Sequence, residues 1–599
     1  MTLRTKINKL TFLKIKAIEI SKATFSHYLL IVLLILFSGA CQQAETKHEI
    51  NTEVATDTTW MSLSLREKIG QLVCLNYNKE QMLEAGNNSI ESFFEKYPVG
   101  SLFLANWELG KNAAPDSLMQ IYIQTVIETS KASKIPLLYS EDFETGLGSI
   151  MPKYTSLTTE MGLGATDSVI YASWYGDIMA RESRSIGINW ILNPVADLNK
   201  NPFNYLTNVR SIGDDQQRAI KMLPSQIKAM QNQKVAATAK HFPGDGTDFI
   251  NQHFNTSQMK LSYDQWQQEH GKVFKTLIDS GVMTIMPGHI SFPAYQKEKL
   301  NGEYLPATLS KELLTDLLKE NLGFKGVIVS DALNMAGIAG YYKNQLETEI
   351  ECFKAGTDIL LWPSLTFIDS VEARILRKEI SEERLNDAVS RVWNMKKKLG
   401  LFDKSYQIIK PISEKAIEEN KIKALEIAQH SLTLLSNKNN LLPLDTLTSK
   451  KILICVISEA DQKETFTVLK DQLITKGFEV DIRDNLSFFS NAGNLKTLAA
   501  TYDKIIFAFY SNPQNPWGSL SLRGDQALSM WSANMLPFNK VISIGFGDPY
   551  KNLIYMPRTW SRINCYNVDD LSQIALADAL IGAFEFTGTS PVTYNAAVH

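Results

Sequence analysis

The sequence predicts an α/β protein, with an N-terminal (β/α)8 barrel followed by a smaller αβα sandwich. Three observations lead there. Eight short apolar, β-branched runs lie between residues 71 and 362, with amphipathic helical patterns in several of the gaps. The runs are apolar almost throughout, as parallel strands buried on both faces are. At 599 residues the chain exceeds the ~250–300 residues that one core usually spans. An open doubly wound sheet gives the same local signals and is the structural alternative.

In chain order the runs are 71–77, 99–105, 137–139, 188–194, 235–239, 282–286, 327–329 and 358–362. Ser310 can cap a helix whose Leu313, Leu314, Leu317 and Leu318 share one face, with Gly323 ending it. Trp266, Phe274, Leu277 and Ile278 repeat the pattern after Ser262. Seven runs end in polar residues: Asn76, Asn106, Glu141-Asp142, Asn193/Asp197, Lys240-His241, His289 and Asp331. A parallel barrel gathers such ends on one rim, where active sites are built. Residues 406–422 read as a linker. Five more strand runs follow, at 451–457, 479–482, 504–509, 540–544 and 562–566, which gives a sandwich over 423–599. Gly545-Phe546-Gly547-Asp548-Pro549 lacks the third glycine of a dinucleotide fingerprint and reads as a turn.

Before the barrel (58–405) come two segments of another kind. Residues 1–40 carry six Lys/Arg against Glu19, then ten apolar residues from Tyr28 to Phe37. As a helix that run rises about 15 Å, half of a bilayer core, which suits a signal peptide and not a stable span. Ser38-Gly39-Ala40-Cys41 resembles a bacterial lipobox, although Ser38 stands where Leu is usual. Cys41 is therefore expected to be lipidated, with 41–57 as a polar tether. This puts the protein in the periplasm or cell envelope, anchored to a bacterial membrane. Ordinary cleavage beside an incidental cysteine is the alternative. The leader's net charge of +5, within an overall −3, leaves −8 on the rest, too acidic for sequence-independent nucleic-acid binding. Cys74, Cys352, Cys455 and Cys565 are far apart and form no CxxC, so they suggest neither a zinc site nor a local disulfide, and no metal or other cofactor is expected.

Two segments carry chemistry. In 239–253 a strand ends in Lys240-His241, and a glycine-rich loop then brings Asn251 and His253. In 326–335 a buried strand terminates in Asp331, a carboxylate that can serve as nucleophile, base or ligand. KHFPGDG…H, MPGHISFPA (286–294) and GFKGVIVSDALNM (323–335) together resemble glycoside hydrolase family 3, in its β-N-acetylglucosaminidase branch. Matching stretches extend over roughly residues 58–597.

The resemblance implies a retaining exo-β-N-acetylhexosaminidase acting through a covalent glycosyl-enzyme on cell-wall or chitin-type oligosaccharides. It makes Asp331 the nucleophile and His253 the acid/base, and lets Asp142, Arg210, Lys240 and His241 hold the terminal sugar. His289 is a further candidate for substrate contact. Two departures stand out. Asn251 occupies the place of an Asp that would orient His253 and supply charge, for which Asp245 or Asp248 are alternatives. Thr145 replaces a glycine in the Asp142–Gly146 turn. A β-glucosidase or xylosidase, a phosphorylase, and a catalytically weak sugar-binding lipoprotein remain alternatives. The oligomeric state is left open.

Overall fold

The computed structural model describes residues 59–111, 113–114, 117–458, 462–486, 495–511, 520 and 523–593. The expected leader, Cys41 and the tether lie outside them. The chain separates into two units, the second of which is Thr59–His599.

All eight expected barrel strands form: β1 Val73–Asn76, β2 Ser101–Phe103, β3 Leu138–Glu141, β4 Trp190–Ile191, β5 Ala236–Phe242, β6 Thr284–Pro287, β7 Val327–Ile328 and β8 Leu360–Leu361. They pair in parallel in the order β7-β6-β5-β4-β3-β2-β1-β8. A parallel bridge from Val329 to Ile359 joins the two ends, so the sheet closes into a barrel. Side chains alternate across it. Cys74, Phe103, Leu138, Trp190, Ala236, Met286 and Val327 fill the interior, while Val73, Leu102, Tyr139 and Ile328 pack outward against the helices. Strand after strand is buried on both faces, which is why the runs are apolar throughout.

The helices named from the sequence pattern form, one of them in two pieces. Leu313, Leu314, Leu317 and Leu318 are all buried in helix Glu312–Asn321, and the Ser310 hydroxyl accepts from the Leu313 N–H at 3.3 Å. The segment after Ser262 is two helices, Tyr263–Gln268 and His270–Asp279, broken at Glu269 (φ −113°, ψ −100°). The break turns the buried His270 beneath the glycine-rich loop, where a Cβ on Gly244 would lie 2.2 Å from its Nδ1. Among the described residues no helix is long and apolar enough to cross a membrane. Cys74, Cys352, Cys455 and Cys565 are buried and unpaired.

Residues 406–422, expected as a linker, instead hold the first half of an 18-residue helix, Glu414–Ser431, capped by Ser413. Among the described residues the sandwich sheet has six strands where five were expected: β9 Thr433–Asn437, β10 Lys451–Ile457, β11 Glu479–Asp484, β12 Lys504–Tyr510, β13 Val541–Phe546 and β14 Ser561–Asn564. Their order is β9-β14-β13-β12-β10-β11, parallel except for β9, which runs antiparallel to β14. After β13 the chain turns at Gly547 (φ +81°) as the sequence suggested, and Tyr550 opens a short helix. The Asn199 side chain donates to the Tyr550 hydroxyl at 2.9 Å, and that hydroxyl donates to the Asn199 carbonyl at 3.2 Å. The terminal stretch returns to the barrel too. Asp214 N–H donates to the Pro591 carbonyl (3.1 Å), and Thr593 N–H donates to the Asp214 carboxylate (2.7 Å).

Candidate active site

A cavity of about 740 Å3 opens at the C-terminal end of the barrel. Asn106, Glu141, Asp142, Lys240, His241 and Asp331 line it, each from the end of a different strand or the residues just after it, save the adjoining pairs. Arg210 and His253 reach it from the loops after β4 and β5. Four expected strand-end residues do not line it: Asn76, Asn193, Asp197 and His289.

One wall is an ionic cluster. Arg210 grips Glu144 with two N–H groups, Nε at 2.8 Å and the other nitrogen at 2.7 Å. The Lys240 ammonium lies 2.9 Å from both Asp142 and Glu144. Burial alone would raise the Glu144 pKa, but Arg210 and Lys240 outweigh it and hold the carboxyl well below the usual range. Burial likewise works against the Lys240 ammonium, and Asp142 and Glu144 more than restore it. Each charge is thus paired, as a buried charge must be, while Asp142 stays partly open to the cavity. Beside it Glu141 is buried, and that burial and the neighbouring Asp142 push its pKa up to about 7. Its carboxylate accepts from the Asn106 side chain at 3.1 Å and from the Phe143 N–H at 3.2 Å.

His241 shares a buried hydrogen bond with Asp197, Nδ1 to Oδ2 at 2.7 Å, and its own N–H donates to Oδ1 at 3.0 Å. Asp331 stands across the barrel mouth at the end of β7, its Oδ1 accepting from the Ala332 N–H at 2.8 Å. Burial disfavours its charge, but His241, His289, that N–H and His253 together bring its pKa below the ordinary value. The group is therefore a carboxylate at neutral pH.

His253 comes over the mouth on the loop after β5. Its Nδ1 lies 2.9 Å from the Asn251 side-chain oxygen, which also accepts the His253 N–H at 2.9 Å. The amide takes the place expected of it and brings no charge. Burial pushes the His253 pKa down to about 4, against the opposing pull of Asp331. Neither Asp245 nor Asp248 replaces Asn251 at this ring. Asp245 accepts from the Asn204 and Gln252 side chains, and Asp248 from the Phe249 and Gln258 N–H groups. His289 is fully buried. Its Nδ1 meets the Thr308 hydroxyl (2.7 Å) and its Nε2 the Ala332 carbonyl (3.1 Å). It buttresses the loop of Asp331 from outside the cavity, so it is misplaced for the substrate contact the sequence suggested. Among the described residues no cluster of His, Cys, Asp or Glu could hold a metal ion.

The family profile "Glycosyl hydrolase family 3 N terminal domain" matches residues 64–395. The chain belongs to glycosyl hydrolase family 3. A Beta-N-acetylglucosaminidase/beta-glucosidase of Cellulomonas fimi is 29% identical over 566 residues, 89% of this chain and 94% of that protein. Beta-hexosaminidase A of Pseudoalteromonas piscicida is 30% identical over 52% of this chain and 55% of its own. Among solved structures, the beta-glucoside phosphorylase BglX superposes with a TM-score of 0.77 at 27% identity, covering 90% of this chain and 95% of its own. A family 3 β-N-acetylglucosaminidase from Paenibacillus sp. str. FPU-7 superposes with a TM-score of 0.75 at 25% identity, covering 89% and 99%.

One wall of this family 3 site is aromatic. Phe103, Trp107 and Trp362 form an aromatic cluster with ring centroids 5.2–6.1 Å apart, and all three line the cavity. Trp107 is 49% exposed, so its indole face is available at the rim. The signal in the sequence is a Trp directly after the strand-end Asn106, although one Trp on its own says little about which way it faces.

Proposed function

We propose that this family 3 enzyme is a retaining exo-β-N-acetylhexosaminidase that releases terminal β-linked N-acetylglucosamine. One observation carries the reading: the Asp331 carboxylate and the His253 imidazole face one cavity, beside a paired cluster of Asp142, Glu144, Arg210 and Lys240. The cluster binds the hydroxyls of the terminal sugar. Asp331 attacks the anomeric carbon and forms an ester, while His253 gives its proton to the departing glycosidic oxygen. Neutral His253 then takes a proton from water, which attacks the same carbon and frees Asp331. The names of the Cellulomonas, Pseudoalteromonas and Paenibacillus relatives support the N-acetylglucosaminyl substrate. Cys41 is proposed as a lipid anchor in a bacterial envelope, on the strength of the leader that precedes it.

One observation favours a second reading. A His253 whose pKa lies near 4 is uncharged at neutral pH, so it does not repel an incoming phosphate as a carboxylate would. The likeness to the beta-glucoside phosphorylase points the same way. Aryl β-N-acetylglucosaminide and aryl β-glucoside, each assayed with and without phosphate, separate the readings. Free N-acetylglucosamine released regardless of phosphate is expected, and a sugar 1-phosphate product would establish the alternative. A 2-deoxy-2-fluoro glycoside should label Asp331. Asp331→Ala should lose at least about a thousand-fold in kcat, with partial return in azide. Labelling of another carboxylate would refute the assignment.

A further inference from the structure

Next to His253 lies a side chain that does not line the cavity. Gln252 is completely buried, and its amide is used at both ends. Its Nε2 donates to Asp245 Oδ2 at 2.5 Å, and its Oε1 accepts from the His289 N–H at 2.5 Å. The first bond closes the glycine-rich loop on itself. The second ties that loop to the end of β6. The backbone adds ties to the loop that follows Asp331, where Gly337 N–H donates to the Gln252 carbonyl (3.1 Å) and Ala336 N–H to the His253 carbonyl (3.2 Å).

Two glycines let these segments close in. A Cβ on Gly288 would lie 2.6 Å from Gln252 Oε1, and one on Gly337 would lie 2.4 Å from the Gln252 carbonyl oxygen. The tie also continues past Gln252 in both directions. Asp245 N–H donates to Asp197 Oδ1 (2.7 Å), the carboxylate that holds His241. His289 contacts the Ala332 carbonyl, one residue from Asp331. The residues on the sugar side, on the proton-donor loop and on the nucleophile loop therefore meet through one amide.

We propose that Gln252 is the positioning residue of the proton donor: its amide clamps the loop between Asp245 and the β6 end, and this sets where the His253 ring stands over the anomeric centre. An amide meets both demands chemically. The position must donate to a carboxylate and accept from a peptide N–H at once, which no apolar side chain does and which a carboxylate does only when protonated. The clamp also answers the loss of charge at Asn251. That residue orients the ring, and proton transfer to the leaving oxygen depends on placement to within a fraction of an ångström.

The inference rests on the reading of His253 as proton donor, so the experiment tests both. Wild type, His253→Ala, Gln252→Ala, Gln252→Glu and Asp245→Asn/Gln252→Glu are assayed on a β-linked N-acetylglucosamine disaccharide and on the 2,4-dinitrophenyl glycoside, whose leaving group needs no proton. Gln252→Ala should lower kcat/KM, which reports the acid-assisted first step, by about 10- to 100-fold on the disaccharide and by less than about threefold on the dinitrophenyl glycoside. Gln252→Glu should show the same loss at neutral pH and regain activity in acid, as the carboxyls at 245 and 252 come to share a proton. The groups around that pair are Asp197 and His241 behind Asp245, and His289 and His253 beside position 252. The double variant should restore neutral-pH activity, because the new amide at 245 donates to the new carboxylate at 252. Equal losses on both substrates in Gln252→Ala, or a double variant no better than Gln252→Glu, would overturn the clamp. If His253→Ala lowers kcat/KM equally on both substrates, the proton donor lies elsewhere and the proposal falls with that reading.

Discussion

Asn251 orients an imidazole without charging its surroundings, and the pH profile should record this. Burial already takes the His253 pKa down to about 4, so the protonated donor is scarce at neutral pH. A carboxylate at 251 would favour the imidazolium, as opposite charges do, typically by one to three pK units. The alkaline limb of kcat/KM in Asn251→Asp should move up by about one unit, with the larger gain on disaccharides; an unmoved limb would show that Asn251 does not act on the donor. A second titration lies at the opposite end of the barrel. Lys396 is fully buried, with its ammonium 2.6 Å from the Gln71 side-chain oxygen. Burial lowers its pKa to about 7, well below the ordinary value near 10.4 for an unfolded chain. Between those values the unfolded chain binds the extra proton, so folding stability should climb from pH 7 to pH 10. The burial penalty is therefore full below pH 7 and gone above pH 10. Thermal melts of Lys396→Met should lack that slope, whatever their offset.

At the scale of elements, the short helix Asn106–Leu109 after β2 carries Trp107 to the rim, against Trp362. An indole face there suits the C–H face of the sugar beyond the scissile bond. Aromatic contacts are worth about 0.5–1.5 kcal/mol, so Trp107→Ala should raise KM for disaccharides roughly three- to tenfold and leave small aryl glycosides nearly unchanged. Equal effects on both would remove Trp107 from aglycone binding. The barrel strands were legible because strands buried on both faces must be apolar throughout. Strand β9 was not, because TLLSN is only half-buried past Thr433 and directly follows a helix with no turn residue between. The helix within 406–422 shows only weakly in the sequence for a related reason. Its buried face relies on Ile417, Asn420, Ala424, Ile427 and Ala428, a thin stripe in a strongly charged segment. At the site, motif residues such as Asp331 and His253 could be read from type and spacing. Gln252 could not, because burial and partners, which no spacing encodes, give it its part.

At the scale of the whole molecule, an envelope location depends on Cys41. One acyl chain binds a bilayer only marginally, so firm anchoring needs several. Wild type should fractionate with membranes and take up a fatty-acid label, and Cys41→Ser should do neither. Identical fractionation without label in both would dispose of the anchor. The sandwich bears on the barrel in another way. Asn199, Asn208 and Asp214 flank Arg210 in the chain, and they contact Tyr550, Asp548 and the 591–593 stretch respectively. A barrel cut free of its companion would keep every group assigned here to breaking the bond and lose the props beneath Arg210. Such a fragment would fail at recognising its sugar before it failed at chemistry: the smaller domain is part of the enzyme's grip.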